Sequence, residues 1–549
     1  MRKKILFLAG MMACCSLAGA QEISKTWVAD KGNGTYQNPV LHADYSDPDV
    51  CAAGDDFYMT ASSFNCIPGI PILHSNDLVN WSLVNCALPI QEPEEFFDKA
   101  QHGKGVWAPA IRFHNGEFYI YWGDPDYGIY MIKAKDPKGR WSKPVLVKAG
   151  KGMIDPTPLW DEDGKVYLVH AYAGSRSGVN SIVVICELNA EGTEVISDPV
   201  MVFDGNDGKN HTVEGPKLYK RNGYYYIFAP AGGVATGWQL VLRSKNIYGP
   251  YESKIVMAQG KTNINGPHQG GWVDTNTGES WFVHFQDKGA YGRVIHLNPM
   301  TWVNDWPVIG VDKDKDGCGE PVTTYKKPNV GKTYPIATPP ESDEFNTRHL
   351  GLQWQWHANK KDTYGFTTDL GYIRLYAGSL SKKFVNFWEV PNLLMQKFPA
   401  EEFTATTKLT FTAKQDREQT GIIVMGWDYS HLSIRKEGDQ FILQQAVCKD
   451  AEQQNPERIK ELANIPVKYL KMPGVADNEW QTVYLQVKVR KGAVCTFAYS
   501  LDGKKYTTVG ETFTARQGKW IGAKVGLFCV TPNEGNRGWA DVDWFRMNK

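Results

Sequence analysis

Five copies of one pattern occupy residues 37–326. Each copy has a marked residue, a short apolar run, a Gly turn and then an aromatic-rich strand. The turn Gly follows the mark by 7, 8, 9, 9 and 10 residues, and the marks are Asp47, Ala108, Asp155, Glu214 and His268. Successive marks lie 61, 47, 59 and 54 residues apart, a spacing typical of one four-stranded blade. The pattern predicts a five-bladed β-propeller.

Equivalent positions of a propeller converge on its central axis. The repeat therefore predicts that three carboxylates and a histidine meet at the mouth of the channel: Asp47, Asp155, Glu214 and His268. Taken singly, each has an ordinary structural explanation, because an Asp before Pro often caps a turn and a lone histidine is often hydrogen-bonded in a core. Their shared place in one repeat favours a functional cluster instead.

Length and composition support an all-β protein with more than one domain. The chain has 549 residues, which is too many for a single domain of ordinary size. It is rich in aromatic residues, with 19 Trp and 26 Tyr, and Gly and Pro are frequent. Long helical periodicity is absent from the sequence. Its 60 basic side chains balance 60 acidic ones, which argues against nucleic acid or an anionic membrane as a partner.

The chain changes character after the repeats. Residues 21–36 are polar and contain Gly, which predicts a loose leader, and residues 327–340 have the Pro- and Gly-rich composition of a linker. Residues 341–549 alternate apolar and polar residues in short runs separated by turns. This pattern predicts a second all-β domain, a β-sandwich of jelly-roll type.

The first 20 residues are typical of a secretory signal. A charged start at Arg2 to Lys4, an apolar run from Ile5 to Leu17 and the small residues Ala18 to Ala20 precede Gln21. This predicts secretion across the inner membrane, to the periplasm or the exterior, with no membrane span. The alternative is a lipoprotein attached through Cys14, although Met11 and Met12 make a poor lipobox.

The cysteines and one acidic loop are candidate metal ligands by residue type. Eight cysteines remain after the signal, and none forms a Cys-x-x-Cys pair, so zinc is disfavoured and buried thiols are expected, with a bridge in the Cys51–Cys86 region left open. Asp312, Asp314 and Asp316 are spaced like the first half of a calcium loop, but Thr323 stands where the bidentate Glu belongs. A tight acidic turn is the simpler interpretation.

Carboxylates that lie close together can carry out glycosidic bond cleavage. Like charge and burial raise some of their pKa values and separate their protonation states. Hydrolysis of a glycoside needs this asymmetry, with a protonated acid for the leaving oxygen and an ionised carboxylate across the sugar ring. Aromatic residues near the marks, including Tyr45, Phe64 and Trp107, suit stacking on sugar C–H faces. The balanced charge fits an uncharged carbohydrate.

Several motifs, each on a separate predicted blade or between blades, resemble glycoside hydrolase family 43. They are NPVLHADYSDPDV, SSFNCIPGIPILHSNDLVNW, WAPAIR, IDPTPLW, VEGPKLY, GPHQGGW and YGRVIHLNPMTW. The closest likeness is to the β-xylosidase and α-L-arabinofuranosidase branch. The resemblance implies an inverting hydrolase of plant cell-wall oligosaccharides, whose acid and base stand about 6.5–9.5 Å apart to admit water. The tail resembles the concanavalin A-like sandwich of many members.

The resemblance also implies a role for each matching residue. Asp47 matches the general base, Glu214 the general acid, and Asp155 the carboxylate that orients the acid and raises its pKa. Positions that shape the sugar pocket are matched by Phe64, Trp107 and Arg293. His268 matches a histidine that binds an ion or water in the channel of many relatives, so a structural calcium or sodium ion is considered. No cofactor is expected to be required.

Three alternatives to an exo-acting pentosidase stay open at this point. An endo-acting arabinanase would need an open groove, whereas long blade loops and a second domain suggest a closed pocket. A retaining fructosidase is disfavoured because its Trp-Met-Asn-Asp-Pro-Asn signature is absent. A non-catalytic carbohydrate-binding propeller has no need of three converging acids. Xylose is slightly favoured over arabinofuranose.

Overall fold

The computed structural model describes residues 22–470 and 478–549. The predicted export signal falls in residues 1–20, outside the described residues. The described chain is all-β, with helical turns only at α1 (Glu94–Phe97), α2 (Gly174–Ser177) and the 3-10 segments Gly289–Tyr291, Phe387–Glu389 and Ala451–Gln453. No helix in these ranges is long and apolar enough to span a membrane. The predicted all-β class is confirmed.

A short strand, β1 (Thr35–Gln37), precedes five four-stranded antiparallel blades. Blade 1 contains β2 (Asp49–Ala53), β3 (Asp56–Thr60), β4 (Gly69–Ser75) and β5 (Ser82–Leu88). Blade 2 contains β6 (Trp107–His114), β7 (Glu117–Asp124), β8 (Gly128–Ala134) and β9 (Val145–Ala149). Blade 3 contains β10 (Met153–Trp160), β11 (Val166–Tyr172), β12 (Ile182–Leu188) and β13 (Val200–Asp204).

The last two blades follow the same order. Blade 4 contains β14 (Lys217–Arg221), β15 (Tyr224–Ala231), β16 (Trp238–Ser244) and β17 (Glu252–Met257). Blade 5 contains β18 (His268–Asp274), β19 (Ser280–Asp287), β20 (Arg293–Val303) and β21 (Trp306–Ile309). In every blade the predicted Gly turn joins the first two strands, as at Gly54 (φ 65°) and Gly278 (φ 87°), where the left-handed backbone favours Gly.

The ring closes by packing blade 5 against blade 1. Val50 and Met59 of blade 1 share one apolar cluster with Val273 and Val283 of blade 5. The strand β1 pairs with β22 (Thr324–Lys326), which follows blade 5, and so ties the two ends of the propeller together. The predicted five-bladed propeller is confirmed.

The segment before the propeller is not a loose leader, contrary to the prediction. The hydroxyl groups of Ser24 and Thr26 both donate to Glu341 Oε2 at 2.7 Å, so this segment is attached to the start of the second domain. Asp30 forms an ion pair with Lys327 (2.6 Å), at the start of the predicted linker. Polar composition suggested a flexible segment, but these side chains have partners about 300 residues away that no local pattern reveals.

The C-terminal domain is a sandwich of two large sheets. Its strands are β23 (Gln355–Trp356), β24 (Gly365–Thr367), β25 (Ile373–Tyr376), β26 (Gly378–Ser379), β27 (Leu394–Lys397), β28 (Phe403–Ala413), β29 (Gln419–Met425), β30 (Tyr429–Glu437), β31 (Gln440–Cys448), β32 (Arg458–Pro466), β33 (Lys468–Leu470), β34 (Asn478–Arg490), β35 (Val494–Ser500), β36 (Thr507–Thr514), β37 (Lys524–Thr531) and β38 (Trp539–Asn548). One sheet has the order β23-β27-β37-β29-β30-β31-β32, and the other β24-β25-β38-β28-β34-β35-β36. Their inner faces enclose one apolar core.

The two domains share a continuous interface. Ile67 of the propeller and Trp356 of β23 exchange two backbone hydrogen bonds (3.1 and 2.6 Å). Tyr291 of blade 5 belongs to the sandwich core cluster. Asp44 accepts hydrogen bonds from the backbone N–H groups of Arg293 (2.9 Å) and Gly522 (3.0 Å), and so connects blade 5 to a sandwich loop.

The eight described cysteines are free thiols, and the Cys51–Cys86 bridge does not form.

Candidate active site

The channel mouth has one strained backbone position in each blade. A residue with positive φ lies at or just before the first strand of each blade, at Asp47 (54°), Ala108 (39°), Asp155 (58°), Gly215 (60°) and Gln269 (36°). The prediction that all marks share one phase is therefore wrong for Glu214 and His268, which precede this position by one residue. Side chains of adjacent residues point in different directions. The side chains of Glu214 and His268 therefore leave the backbone in a different direction from those of Asp47 and Asp155.

Asp47 is a buried carboxylate surrounded by donors. Its Oδ2 accepts hydrogen bonds from the hydroxyl groups of Ser46 (2.8 Å) and Ser62 (2.7 Å). Its Oδ1 accepts one from Arg293 Nη1 (3.0 Å). A guanidinium and two hydroxyl donors complement a negative charge, so this environment suits a carboxylate that acts as a base.

Arg293 lies in the pocket, as the resemblance implies. Its guanidinium also donates to Ser46 Oγ (2.7 Å) and lies over the rings of Phe285 (4.8 Å) and Trp520 (5.8 Å). The residue starts β20, immediately after the 3-10 turn that contacts the sandwich. Its place in the site therefore depends on both a propeller strand and a sandwich residue.

Asp155 is buried and holds the loop that carries Glu214. Its Oδ2 accepts a hydrogen bond from the backbone N–H of Gly215 (2.7 Å), the peptide directly after Glu214. Burial raises the pKa of Asp155 to about 6, Lys217 lowers it, and Asp47 raises it. Asp155 can therefore position the Glu214 loop and contribute negative charge beside it.

Glu214 is the carboxyl group of the cluster that best retains its proton. Burial raises the pKa of Glu214 to about 8, and the charges of Asp155 and Asp47 raise it, whereas Arg293 lowers it. Its side chain is 28% exposed, while Asp47 and Asp155 are almost fully buried. A protonated, partly exposed carboxyl beside buried carboxylates is the arrangement that a general acid requires.

Lys217 is a buried residue of the site that the sequence analysis did not identify. It is fully buried at the start of β14, and its Nζ has no hydrogen-bond partner among the described residues. Burial lowers its pKa, while Asp49 and Asp155 raise it. The motif VEGPK contained a signal, since this Lys directly follows the Gly-Pro pair and lies three residues after Glu214.

His268 lies beside Glu214 but has no cluster of protein ligands around it. Its Nε2 is 3.5 Å from Glu214 Oε1, and neither ring nitrogen has a hydrogen-bond partner within the described part of the chain. Burial, and then the charges of Arg293 and His284, together lower its pKa to about 3, which favours the neutral imidazole. Within residues 22–470 and 478–549, no three His, Cys, Asp or Glu side chains converge to hold a metal. Ion binding at His268 stays a prediction.

The acidic loop considered as a calcium site is stabilised by its own backbone. Asp312 Oδ2 accepts a hydrogen bond from the N–H of Gly317 (2.9 Å), and Asp316 Oδ1 accepts one from Cys318 (2.8 Å). Both are contacts of a tight turn. The loop lies after blade 5 in the chain.

Aromatic side chains form one wall of the mouth. Phe64 and Trp107 lie edge to face with ring centroids 6.3 Å apart, and Arg176 lies over the Trp107 ring (5.7 Å). The third ring is Trp520, whose centroid is 6.2 Å from that of Trp107. Phe64 is buried, whereas Trp520 is 48% exposed. The sequence analysis assigned Phe64 and Trp107 to the pocket but missed Trp520.

Trp520 comes from the sandwich, in the loop between β36 and β37. The loop is held against blade 5, because Gly522 donates to Asp44 and Ala523 donates to the carbonyl of Ala290 (2.8 Å). A Cβ on Gly522 would come within 2.7 Å of the Gly292 nitrogen, so the two backbones touch. The second domain thereby supplies part of the pocket wall, and no local pattern around Trp520 signals this.

Two family models match the chain. Glycosyl hydrolases family 43 matches residues 36–307, and the β-xylosidase C-terminal concanavalin A-like domain matches residues 342–548. A putative β-xylosidase from Xylanibacter ruminicola is 37% identical, with 92% of this chain and 88% of that protein aligned. A β-xylosidase from Formosa agariphila is 32% identical over 96% of this chain and 93% of its own. A non-reducing end α-L-arabinofuranosidase from Bacteroides ovatus is 28% identical, over 93% and 94%.

Solved structures show the same pair of domains. The GH43 BlXynB protein from Bacillus licheniformis aligns with a TM-score of 0.77 and 27% identity, over 94% of this chain and 99% of that one. The GH43B protein of a Bacteroides ovatus xyloglucan locus aligns with a TM-score of 0.77 and 25% identity, again over 94% and 99%. The alignments include both the propeller and the sandwich, so the likeness extends to how the two are combined.

Proposed function

The chain belongs to family 43 of the glycosyl hydrolases, and we propose that this glycosidase is an exo-acting, inverting β-xylosidase. The observation that carries the proposal is the contrast between two carboxyl groups of the pocket: burial and neighbouring carboxylates raise the pKa of Glu214 to about 8, while Asp47 accepts hydrogen bonds from Arg293 and two hydroxyl groups. Inverting hydrolysis needs one acid and one base in these two states.

In the proposed reaction, Glu214 donates its proton to the glycosidic oxygen as the bond from that oxygen to the anomeric carbon breaks. Asp47 accepts a proton from a water molecule, whose oxygen forms the new bond to the anomeric carbon. Asp155 contributes by holding Gly215 and by raising the pKa of Glu214. Arg293 orients Asp47, and its charge stabilises the ionised carboxylate.

The wall formed by Trp520 supports exo over endo action. An endo enzyme needs a groove that is open at both ends, so that a chain can pass through. Here the sandwich loop places Trp520 beside Trp107 and Arg293 at the mouth. A wall at this place favours a pocket that accepts the terminal residue of a chain, and plant-derived oligosaccharides are the proposed substrates.

The relatives support xylose as the terminal sugar. Two relatives above 30% identity carry the names putative β-xylosidase and β-xylosidase. The second candidate is an α-L-arabinofuranosidase, favoured by the Bacteroides ovatus relative at 28% identity. Both candidate reactions use the same acid and base. They differ in the terminal sugar that occupies the pocket, which is xylose in one and arabinofuranose in the other.

Two aryl pentosides assayed side by side test the sugar. We expect faster release of nitrophenol from the para-nitrophenyl β-D-xylopyranoside than from the α-L-arabinofuranoside, and only monosaccharide from xylo-oligosaccharides in product chromatography. A faster arabinofuranoside reaction would select the second candidate. Early release of longer oligosaccharides would reject exo action.

Product stereochemistry tests the assignment of the base. NMR of early product should show the anomer opposite to that of the substrate, because water attacks the face away from the leaving group. Retained configuration would remove Asp47 from the role of base.

Export is part of the proposal on the strength of residues 1–20, and cell fractionation of the natural host should find the protein outside the cytoplasm.

A further inference from the structure

A thiol and an amine meet at the interface between the two domains. Cys66 Sγ, in the propeller loop between β3 and β4, lies 2.9 Å from Lys524 Nζ, at the start of β37. Both residues are buried, with Cys66 1% exposed and Lys524 3% exposed. The two positions are 458 residues apart in the chain, so only the docking of the domains brings them together.

The groups around Lys524 Nζ include no described carboxylate that forms an ion pair with it. Lys524 Nζ also donates to Gln355 Oε1 (2.9 Å), a neutral amide. Among the described residues, no carboxylate lies within ion-pair distance of Nζ, and the nearby titratable groups are His102, His357 and Lys397. Burial of net charge is costly. The contacts of Nζ are therefore the Cys66 sulfur and one neutral amide oxygen.

The contact is fixed by the backbone on both sides. The Cys66 loop is bound to β23 through the two hydrogen bonds between Ile67 and Trp356, and Gln355 Nε2 donates to the carbonyl of Pro68 (3.0 Å). On the other side, Lys524 lies in a sheet, paired with Lys397 and Met425 of the neighbouring strands. Neither group can move away without breaking interface contacts, so the nitrogen and sulfur stay in proximity.

We propose that Cys66 and Lys524 are a site of oxidative cross-linking, in which one oxygen atom joins the sulfur to the nitrogen. With dioxygen as oxidant, the thiol and the neutral amine react with one O2 to give an S–O–N bridge and one water. The S–H bond and one N–H bond break, and S–O and O–N bonds form. Sulfur and nitrogen each lose two electrons, and the two oxygen atoms gain the four.

The separation of the two atoms favours a bridge through oxygen over a direct S–N bond. A nitrogen and a sulfur bonded to one oxygen are about as far apart as Nζ and Sγ are here, whereas a direct bond would pull the strands together. Thiols do condense with nitrogen after oxidation, so the chemistry has precedent. A small void lined by His102, His357, Met395 and Ile521 adjoins Lys524.

The bridge would join two walls of the pocket. Cys66 follows Phe64 by two residues, and Lys524 follows Trp520 by four, so each partner lies next to a segment of the aromatic wall. A covalent link across the interface restricts the separation of the domains and should raise the unfolding temperature.

Mass spectrometry of the full-length wild-type protein tests the proposal. Protein exposed to air, then denatured without reductant, should be heavier than reduced protein by one oxygen minus two hydrogens, and should have one thiol fewer. Digestion should give a cross-linked pair of peptides containing Cys66 and Lys524, which reductant separates. An unchanged mass after prolonged exposure to air, or oxidation of Cys66 alone with Lys524 unmodified, would overturn the proposal.

Variants provide matched controls. Cys66→Ser and Lys524→Met should each abolish the mass change. Cys86→Ser should retain it, because Cys86 is also at the interface but contacts a carbonyl, that of Leu352 (3.8 Å), instead of an amine. If the mass change survived in Lys524→Met, Lys524 would not be the nitrogen partner of the bridge, and the proposal would be overturned. The wild-type peptide map decides the question even if a variant fails to fold.

Discussion

Asp47 and Glu214 are carboxylates of one pocket with opposite surroundings. Asp47 is buried among a guanidinium and two hydroxyl donors, whereas Glu214 has no donor among the described hydrogen bonds and lies near two other carboxylates. Burial and the two neighbouring carboxylates raise the pKa of Glu214, and no described donor binds its carboxyl group. The donors around Asp47 are the difference between the two environments.

Leaving-group chemistry should separate the acid from the base. Glu214→Ala should slow hydrolysis of xylo-oligosaccharides by about 10²- to 10⁴-fold, because a sugar alcohol needs a proton to depart. The variant should keep much more activity on an aryl glycoside with an acidic phenol, which departs unaided. Asp47→Ala should lose both activities, since water must be activated in either case.

The control for this comparison is Glu252→Ala, which removes an exposed carboxylate of the same blade. It should behave as wild type on both substrates. If Glu214→Ala lost both substrates equally while Asp47→Ala spared the aryl glycoside, the two roles would have to be exchanged.

The pH profile should report the influence of Asp155 on Glu214. The acid works only when protonated, so kcat/KM should fall as pH rises through the pKa of Glu214, about 8. Asp155→Asn removes a negative neighbour that raises this pKa, so the alkaline limb should move to lower pH by about one unit. Asp198→Asn, an exposed change in the same blade, should leave the limb in place. An alkaline shift with Asp155→Asn would contradict this coupling.

At the scale of elements, the loop between β36 and β37 is part of the active site although it belongs to the other domain. Its backbone is held by Asp44, whose other oxygen accepts from Arg293. The Asp44 carboxylate therefore binds both the sandwich loop and the start of β20, the strand that carries Arg293, which donates to Asp47. A change in this loop should affect substrate binding before it affects the chemical step.

Trp520→Ala tests this directly. We expect KM for xylo-oligosaccharides to rise about tenfold, equivalent to about 1.4 kcal/mol, because the substrate loses an aromatic wall. We expect kcat to change little, since the acid and base are intact. The control is Phe366→Ala, an equally exposed (48%) aromatic on β24 of the sandwich, which should leave KM unchanged. Equal effects of the two changes would show that Trp520 has no specific role.

At the scale of the whole molecule, the sandwich is an integral part of the folded protein. The propeller contributes Tyr291 to the sandwich core, and the Cys66 loop is extended by backbone pairing with β23. Such an interface leaves apolar side chains and backbone donors exposed if one domain is removed.

A truncated chain ending near residue 335 should therefore be poorly soluble and much less stable than the full chain. Size-exclusion chromatography and thermal unfolding would measure this, with the full-length protein as reference. The truncation should also lose the pocket wall, so any soluble fraction should resemble Trp520→Ala in its KM. A soluble, fully active propeller would show that the interface is not needed for folding or for the pocket.

The sequence alone determined the propeller and the sandwich, because both depend on patterns that repeat locally, and it predicted that Asp47, Asp155 and Glu214 converge. A blade needs alternating strands and a Gly turn, and these leave a period that can be counted. The family motifs added Phe64, Trp107 and Arg293, whose neighbourhood the structure now describes.

Only the tertiary structure decided how the blades and domains meet. It placed Glu214 and His268 one residue off the repeat phase, packed Ser24 and Thr26 against Glu341, and brought Trp520 and Lys524 to the propeller. The partners in the last two cases are hundreds of residues apart. Contacts of this kind leave no periodic pattern in the sequence, because they depend on how two finished surfaces fit together.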